Sequence, residues 1–322
     1  MKTPRPFRLA PFFSPRIWGQ TDWTRWYGGA TFAEPVGEAW LTGEACIVET
    51  GEWAGGRFAD VVKKNAAQIL GVAALGAAAT AQAEFPLLLK LLAPREKLSL
   101  QVHPDDASAQ QKGFPRGKTE CWYVLDAVPA AAIALGLKDG VDDAAVRSAV
   151  AAHTMEEMMQ WLPVAQGEMI FVDAGTVHAI GPGVTLLETQ QTSDITYRLY
   201  DYDRPRELHV DDALRVMKPH TRAGKISPVQ HDGFVRLIEE QYFTVDRFSL
   251  NFGEAKPAAS HDFASSPVPQ IFVGLAGQAV LQCDGERIEM ERGKAVIVPA
   301  AAGPCTVCSE TQTDFIRAVP GL

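Results

Sequence analysis

Residues 85–106 read FPLLLKLLAPREKLSLQVHPDD, and the fold turns on this stretch. Two short apolar runs flank a Pro94-Arg95-Glu96 turn, which predicts a pair of strands. On a strand alternate residues share a face, so Ser99, Gln101 and His103 are expected on one side and Leu98, Leu100 and Val102 on the other. A polar face is either solvent or a site, and the strongly apolar flank favours a site. Lys90 interrupts the leucines of the first run. An ammonium there must snorkel to the surface or sit beside an anion, and the sequence leaves both open.

Working outward, the reading is mainly β with helical insertions. The first fifty residues hold short aromatic runs broken by Gly and Pro, including Trp18-Gly19 and Gly37-Glu38. Residues 57–83 are alanine-rich and proline-free and predict one or two helices, which Pro86 ends. Strands are expected at 121–125 and 131–137, a helix over 142–162, then strands at 168–172 and 184–198 and a helix at 210–217. Met155, Met158 and Met159 read as core filling. From 235 onward, short apolar runs separated by Gly, Asp or Pro carry an all-β signature, with 261–269 read as a loop. These rhythms divide the chain into residues 1–225 and a second unit of 226–322.

The chain has 322 residues, 47% hydrophobic and 21% charged, with a formal charge of -9, which suits a globular protein and disfavours a nucleic-acid partner. A small anion remains possible where cations gather locally. No apolar stretch is long enough for a membrane span, and the start, MKTPRPFRLAPFFSPRIWG, lacks the pattern of a signal peptide. A cytoplasmic location is therefore expected. Five scattered cysteines fit reduced thiols, and Cys305-Thr-Val-Cys308 lacks a second pair or a nearby histidine.

Two further blocks extend the polar face. GKTECWYVL (117–125) places Lys118 and Glu120 on one side of a strand, and GEMIFVDAGTVH (167–178) runs a strand into a glycine turn that delivers His178. Gln101, His103, Glu120 and His178 together offer two imidazoles, a carboxylate and an amide oxygen. That set suits a divalent metal such as zinc, and a neutral glutamine beside one carboxylate leaves the centre net positive, a good Lewis acid. Downstream, Asp194 and Arg198 stand four apart, as site residues or as a surface salt bridge. Lys90, Lys118 and Arg198 would supply the local cations a phosphate needs.

In order, FPLLLKLL, LSLQVHPDD, GKTECWYVL, AGTVHAIGPG and LLETQQTSDITYRLYDYDR resemble the type I mannose-6-phosphate isomerases of the cupin superfamily, in their short bacterial form. The resemblance spans nearly the whole chain. It implies two jelly-roll units, the first holding one zinc ion per chain, and the interconversion of mannose 6-phosphate and fructose 6-phosphate. It carries the metal ligands onto Gln101, His103, Glu120 and His178, and the active-site lysine and arginine onto Lys118 and Arg198. Ser99, Lys90, Trp18 and Glu38 match positions near the substrate. The general cupin pattern has proline where Asp173 stands.

The implied chemistry moves a proton between adjacent carbons through a cis-enediolate, with Lys118, Asp194 or a metal-bound water as the carrier. Arg198 could neutralise the enediolate or hold the phosphate, with a preference for the first because Lys90 and Ser99 can serve the second. The expected partner is a small sugar phosphate, and the expected state a monomer or weak homo-oligomer. Two other readings stay open: a non-catalytic sugar-phosphate-binding cupin, and a cupin metal oxygenase, against which Gln101 argues by filling the position that oxygen would need. The C-terminal unit, with no histidine after Pro267, is expected to be metal-free.

Overall fold

The structure, a computed structural model, describes residues 3–71, 83–251 and 259–321. It is mainly β, and four antiparallel sheets carry it. The seven-stranded sheet runs, in spatial order, Gly224–Ile226, Met169–Val172, Glu120–Ala127, Val184–Gln191, Leu87–Leu92, Thr31–Trp40 and Phe12–Asp22. Facing it is a five-stranded sheet of Tyr197–Tyr200, Leu100–Val102, His178–Ile180, Ala132–Leu137 and Met159–Pro163. Trp122, Val124, Ile170 and Leu186 from the first sheet meet Ile133, Leu135 and Ile180 from the second, which closes one β-sandwich.

The seven-stranded sheet is covered on both faces, and this explains the unbroken apolar run at its centre. Leu87, Leu89 and Leu91 point away from the sandwich interior, into a core shared with Phe243, Val245, Ile271, Ile297 and Ile316. Those belong to an eight-stranded sheet, which faces a four-stranded one across a second interior. The eight-stranded sheet is not built from the C-terminal residues alone. Phe7–Ala10 pairs with both Ala295–Val298 and Ile47–Val48, so the first fifty residues contribute to both halves of the molecule. Outside the five-stranded sheet pack the helices Asp143–Ala151 and Val210–Val216. No helix among the described residues is long and apolar enough to cross a membrane.

Several local expectations change. The one or two helices expected at 57–83 are present among the described residues as Phe58–Lys64 and Ala66–Ile69, separated at Asn65, whose side-chain amide bonds the Val61 carbonyl at 2.9 Å. Residues 72–82 lie outside the described part. The helix expected over 142–162 ends at Ala151, and His153 takes a φ of 59° that stops it. Met159–Pro163 instead pairs with Ala132–Leu137, because that sheet edge offers ladder partners that local propensity cannot count. Met155 and Met159 fill the core beneath, as expected. The loop read at 261–269 begins as a strand, Ala259–Phe263, paired with Cys305–Ser309. Strand pleat also separates Cys305, buried, from Cys308, partly exposed, so the two thiols point to opposite faces.

Candidate active site

The site lies inside the first sandwich, in a cavity of about 470 Å³. Strand register sets its floor: His178 stands opposite Gln101, Gln101 opposite Arg198, and Gln190 opposite Glu120. The regular strand starts only at Leu100, so Leu98 turns into the sandwich interior and lines the cavity beside Ser99 and Gln101, instead of sharing a face with Leu100 and Val102.

Loops bring in the rest, and the two aspartates of HPDD hold them. Asp105 caps the helix Asp106–Gln111 by accepting from the Ser108 amide at 3.0 Å. Asp106 accepts from the Gly117 amide at 2.7 Å and from Gln191 Nε2 at 2.9 Å, while Gln191 Oε1 takes the Thr119 amide at 2.9 Å. These bonds fix the segment that carries Lys118 and Glu120. Gly117 passes so close to the backbone at Pro104 that a Cβ would stand 2.4 Å from its carbonyl oxygen. Gly175, at φ +94°, makes the turn before His178.

His103, Glu120 and His178 have ligand atoms within 4.8 Å of one another, and all three are buried. Each imidazole hydrogen-bonds a carbonyl through Nδ1: His103 with Ile195 at 2.8 Å, His178 with Thr176 at 2.9 Å. Donation from Nδ1 leaves both Nε2 lone pairs facing the carboxylate. Burial, reinforced for His103 by Lys118, keeps both rings neutral, with the His178 pKa pushed down to about 4. Glu120 Oε1 has no hydrogen-bond donor, and Oε2 has only the Lys118 ammonium beside it, 2.8 Å away as an ion pair. The same ammonium stands 3.1 Å from His103 Nε2. A buried carboxylate with one oxygen unpartnered, facing two neutral imidazoles, fits a divalent cation. Gln101 stands next to this group, with its Nε2 3.4 Å from His178 Nε2 and its Oε1 accepting from Ser99, and a half-turn of the amide would present the oxygen instead.

Beside these candidate ligands lies an ionic network. Lys90 is 1% exposed, which decides for the anion over the snorkel. Its ammonium is 3.6 Å from Glu188 and 3.4 Å from Asp194, and lies over the Trp40 ring. Burial alone would lower its pKa, but Glu38, Glu188 and Asp194 outweigh it and raise it. Asp194 is raised by burial and more than compensated by Lys90, Lys118 and Arg16, so it stays below the usual carboxylate range. Asp194 and Arg198 both line the cavity, yet they belong to a loop and a strand respectively and form no pair with each other. Glu38 is anchored by Arg16 and the Trp40 indole, both at 2.8 Å, and Trp18 also lines the wall.

All eleven residues singled out from the sequence sit at this one place: nine contribute directly to the cavity wall, and His103 and His178 sit beneath it as ligand candidates. The sequence reading missed Glu188, Arg16, Thr196 and Arg206. Glu188 stands directly across from Lys90 and accepts from the Trp122 indole at 3.1 Å. Burial and then Glu120 push its pKa up. An acid inside the apolar VTLLETQQ strand was the same signal that marked Lys90. Arg206, by contrast, stands in a charged turn with no periodicity to mark it.

Comparison with known proteins agrees with the geometry. Residues 7–136 match the catalytic domain of type I phosphomannose isomerase, and residues 234–319 match the mannose-6-phosphate isomerase cupin domain. The chain is 30% identical to a mannose-6-phosphate isomerase of Streptococcus mutans, over 91% of its own length and 92% of that protein's. It is 32% identical to the mannose-6-phosphate isomerase ManA of Bacillus subtilis, over 77% of this chain and 81% of the relative. The crystal structure of a mannose 6-phosphate isomerase from Bacillus subtilis superposes with a TM-score of 0.84 at 28% identity, covering 98% of this chain and 99% of that one. The chain belongs to the type I phosphomannose isomerase family, whose members are aldose-ketose isomerases.

Proposed function

We propose that this chain interconverts mannose 6-phosphate and fructose 6-phosphate through a cis-enediolate, using one zinc ion held by Gln101, His103, Glu120 and His178. The observation that carries the reading is the buried Glu120 carboxylate, with Oε1 lacking a hydrogen-bond donor, between two imidazoles turned towards it by their Nδ1 hydrogen bonds. When bound, zinc supplies a Lewis acid for the oxygens on which negative charge develops.

The chain's own residues divide the remaining work. Burial lowers the Lys118 pKa, but Glu120 and Glu188 outweigh it and raise it, which suits Lys118 to donate to an oxygen. Asp194, kept ionised by Lys90, Lys118 and Arg16, with a side chain 56% exposed, is the residue proposed to take and return that proton. Glu188, whose pKa burial and Glu120 raise, stands beside Lys90 at 3.6 Å and Lys118 at 4.0 Å as their counter-charge. Arg198 faces the developing oxyanion, while Ser99, Lys90, Trp18 and Glu38 wall the sugar.

In this proposal the first sandwich, built within residues 1–225, is the catalytic jelly-roll unit, and residues 226–322, completed by Phe7–Ala10 and Ile47–Val48, form a metal-free one, in a cytoplasmic enzyme that is a monomer or weak homo-oligomer. The test is a coupled assay of mannose 6-phosphate isomerisation after chelation and after return of zinc. Activity lost and regained supports the reading. No turnover by folded, zinc-loaded protein overturns it.

A further inference from the structure

The cations of the cavity are not equally available to a ligand. Arg16 is held by Glu38 at 2.8 Å, Lys118 by Glu120 at 2.8 Å, and Lys90 by Glu188 at 3.6 Å and Asp194 at 3.4 Å. Each is neutralised by an acid that lines the same cavity. Arg198 and Arg206 also line it, and their partners do not. Arg198 donates through Nη1 to the Glu207 carbonyl at 2.8 Å, and its buried Nε has no acceptor.

Arg206 is gripped from behind. Asp201, 2% exposed and outside the cavity wall, accepts from Arg206 Nε and Nη2, both at 2.6 Å. The same carboxylate accepts from Arg204 Nη2 at 2.7 Å, which also donates to the Lys97 carbonyl at 2.9 Å. A fork held on one edge keeps its plane fixed and leaves the Nη1 donors for a ligand. Three guanidinium groups and one buried carboxylate leave the buried part of this corner with a net charge of about +2, and the remaining acids, Glu96 at 3.7 Å from Arg204 and Glu207, are 64% and 84% exposed and screened by water. Arg198 feels Arg206 and Arg204 as like charges, which places them in one electrostatic neighbourhood.

We propose that Arg206, fixed in place by Asp201, clamps the phosphate of the substrate, within the positive field that Arg198 and Arg204 add to, at the opposite side of the charge balance from Lys90. The proposal rests on the function above, since it takes the ligand to be a sugar phosphate. It makes Arg206 a binding residue and Asp201 a positioning residue. The doubly charged phosphate finds its counter-charge at this corner, whereas at Lys90 it would compete with three carboxylates.

The experiment uses the zinc-loaded full chain as wild type, Arg206→Ala, Arg206→Lys and Asp201→Asn. The KM for mannose 6-phosphate and the inhibition constant of inorganic phosphate are read together, with direct calorimetric titration of phosphate alongside. Arg206→Ala is expected to raise both constants by about 10- to 100-fold while kcat falls by less than about threefold. The preference for mannose 6-phosphate over mannose should shrink by the same factor. Arg206→Lys should recover part of the loss, because charge returns without the fork, and Asp201→Asn should weaken phosphate in the same direction. Both constants within about twofold of wild type in Arg206→Ala, or kcat falling in step for both sugars with no recovery in the lysine variant, would overturn the proposal. If the wild type turns over no mannose 6-phosphate, the functional reading fails, while the phosphate titration still decides the role of Arg206. Arg206→Ala alters a partly exposed side chain, so the decision does not depend on Asp201→Asn folding.

Discussion

The two sandwiches of this molecule solve the problem of a filled interior in opposite ways. In the second, Phe248 and Phe315 stack with centroids 5.0 Å apart, Phe263 meets Phe248 edge-on at 5.0 Å, and Phe272 closes the group against Phe263 at 4.9 Å. In the first, the corresponding space between sheets is lined by Gln101, Lys118, Glu120 and Glu188, with the His103 and His178 rings 4.8 Å apart beneath. Each interior also contains a buried acid, and the contrast between them is instructive. Asp246 is fully buried, with Arg236 and Arg317 as partners, and Arg317 also covers the Phe248 and Phe263 rings. Glu120 has one ammonium beside Oε2 and no donor on Oε1. The carboxylate of one interior is held on both oxygens by the chain's own arginines, and that of the other keeps capacity for a ligand.

The largest expected effect breaks this contrast at Glu120. Glu120→Ala should lower kcat/KM by about a thousandfold or more and remove tight zinc binding, since an anionic ligand and the electrophile go together. Steady-state rates and metal content after dialysis check it, and the variant should remain folded. A zinc-replete Glu120→Ala enzyme with ordinary activity would remove the metal centre from the mechanism. In the other interior, Phe315→Ala should cost about 3–5 kcal/mol of stability, read from denaturant unfolding, with the zinc content of the folded protein retained. An effect on metal affinity there would mean that the two interiors communicate through the core they share.

Between these lies Asp246→Asn, which removes the charge between two arginines. A loss of about 3 kcal/mol is expected, at the low end for a broken buried pair because both arginines reach water. The smallest effect is one of pH. His178 is held near a pKa of about 4 and His103 is also lowered, against an ordinary value of 6.5, so the unfolded chain binds protons that the folded chain refuses. Stability of the metal-free protein should therefore fall as pH drops from about 6.5 to about 4, and His178→Asn should flatten that slope. Urea midpoints across this window provide the measurement, and an unchanged slope in the variant would contradict it.

Much of the first interior was legible because strand pleat leaves a simple trace. Ser99 and Gln101, and the lysine and glutamate of GKTE, appear at alternate positions, and Lys90 stands out against leucines on both sides. Glu188 carried the same trace and was passed over. What periodicity could not convey was distance. Asp106 of HPDD works through Gly117 and Gln191, which lie 11 and 85 residues beyond it, and that role exists only once the strands pair.

The sequence alone determined the β class, the ordered motifs of the family and the chemical types that meet in the site, because burial and alternation are local constraints. Tertiary structure decided what those residues do to one another. It turned residues 159–163 into a strand by offering an open sheet edge. It sent Phe7–Ala10 across to the second sheet. It neutralised Lys90 while leaving Arg198 and Arg206 unmatched in the cavity. Electrostatic balance depends on separations of a few ångströms between residues far apart in the chain, and only the folded arrangement sets those.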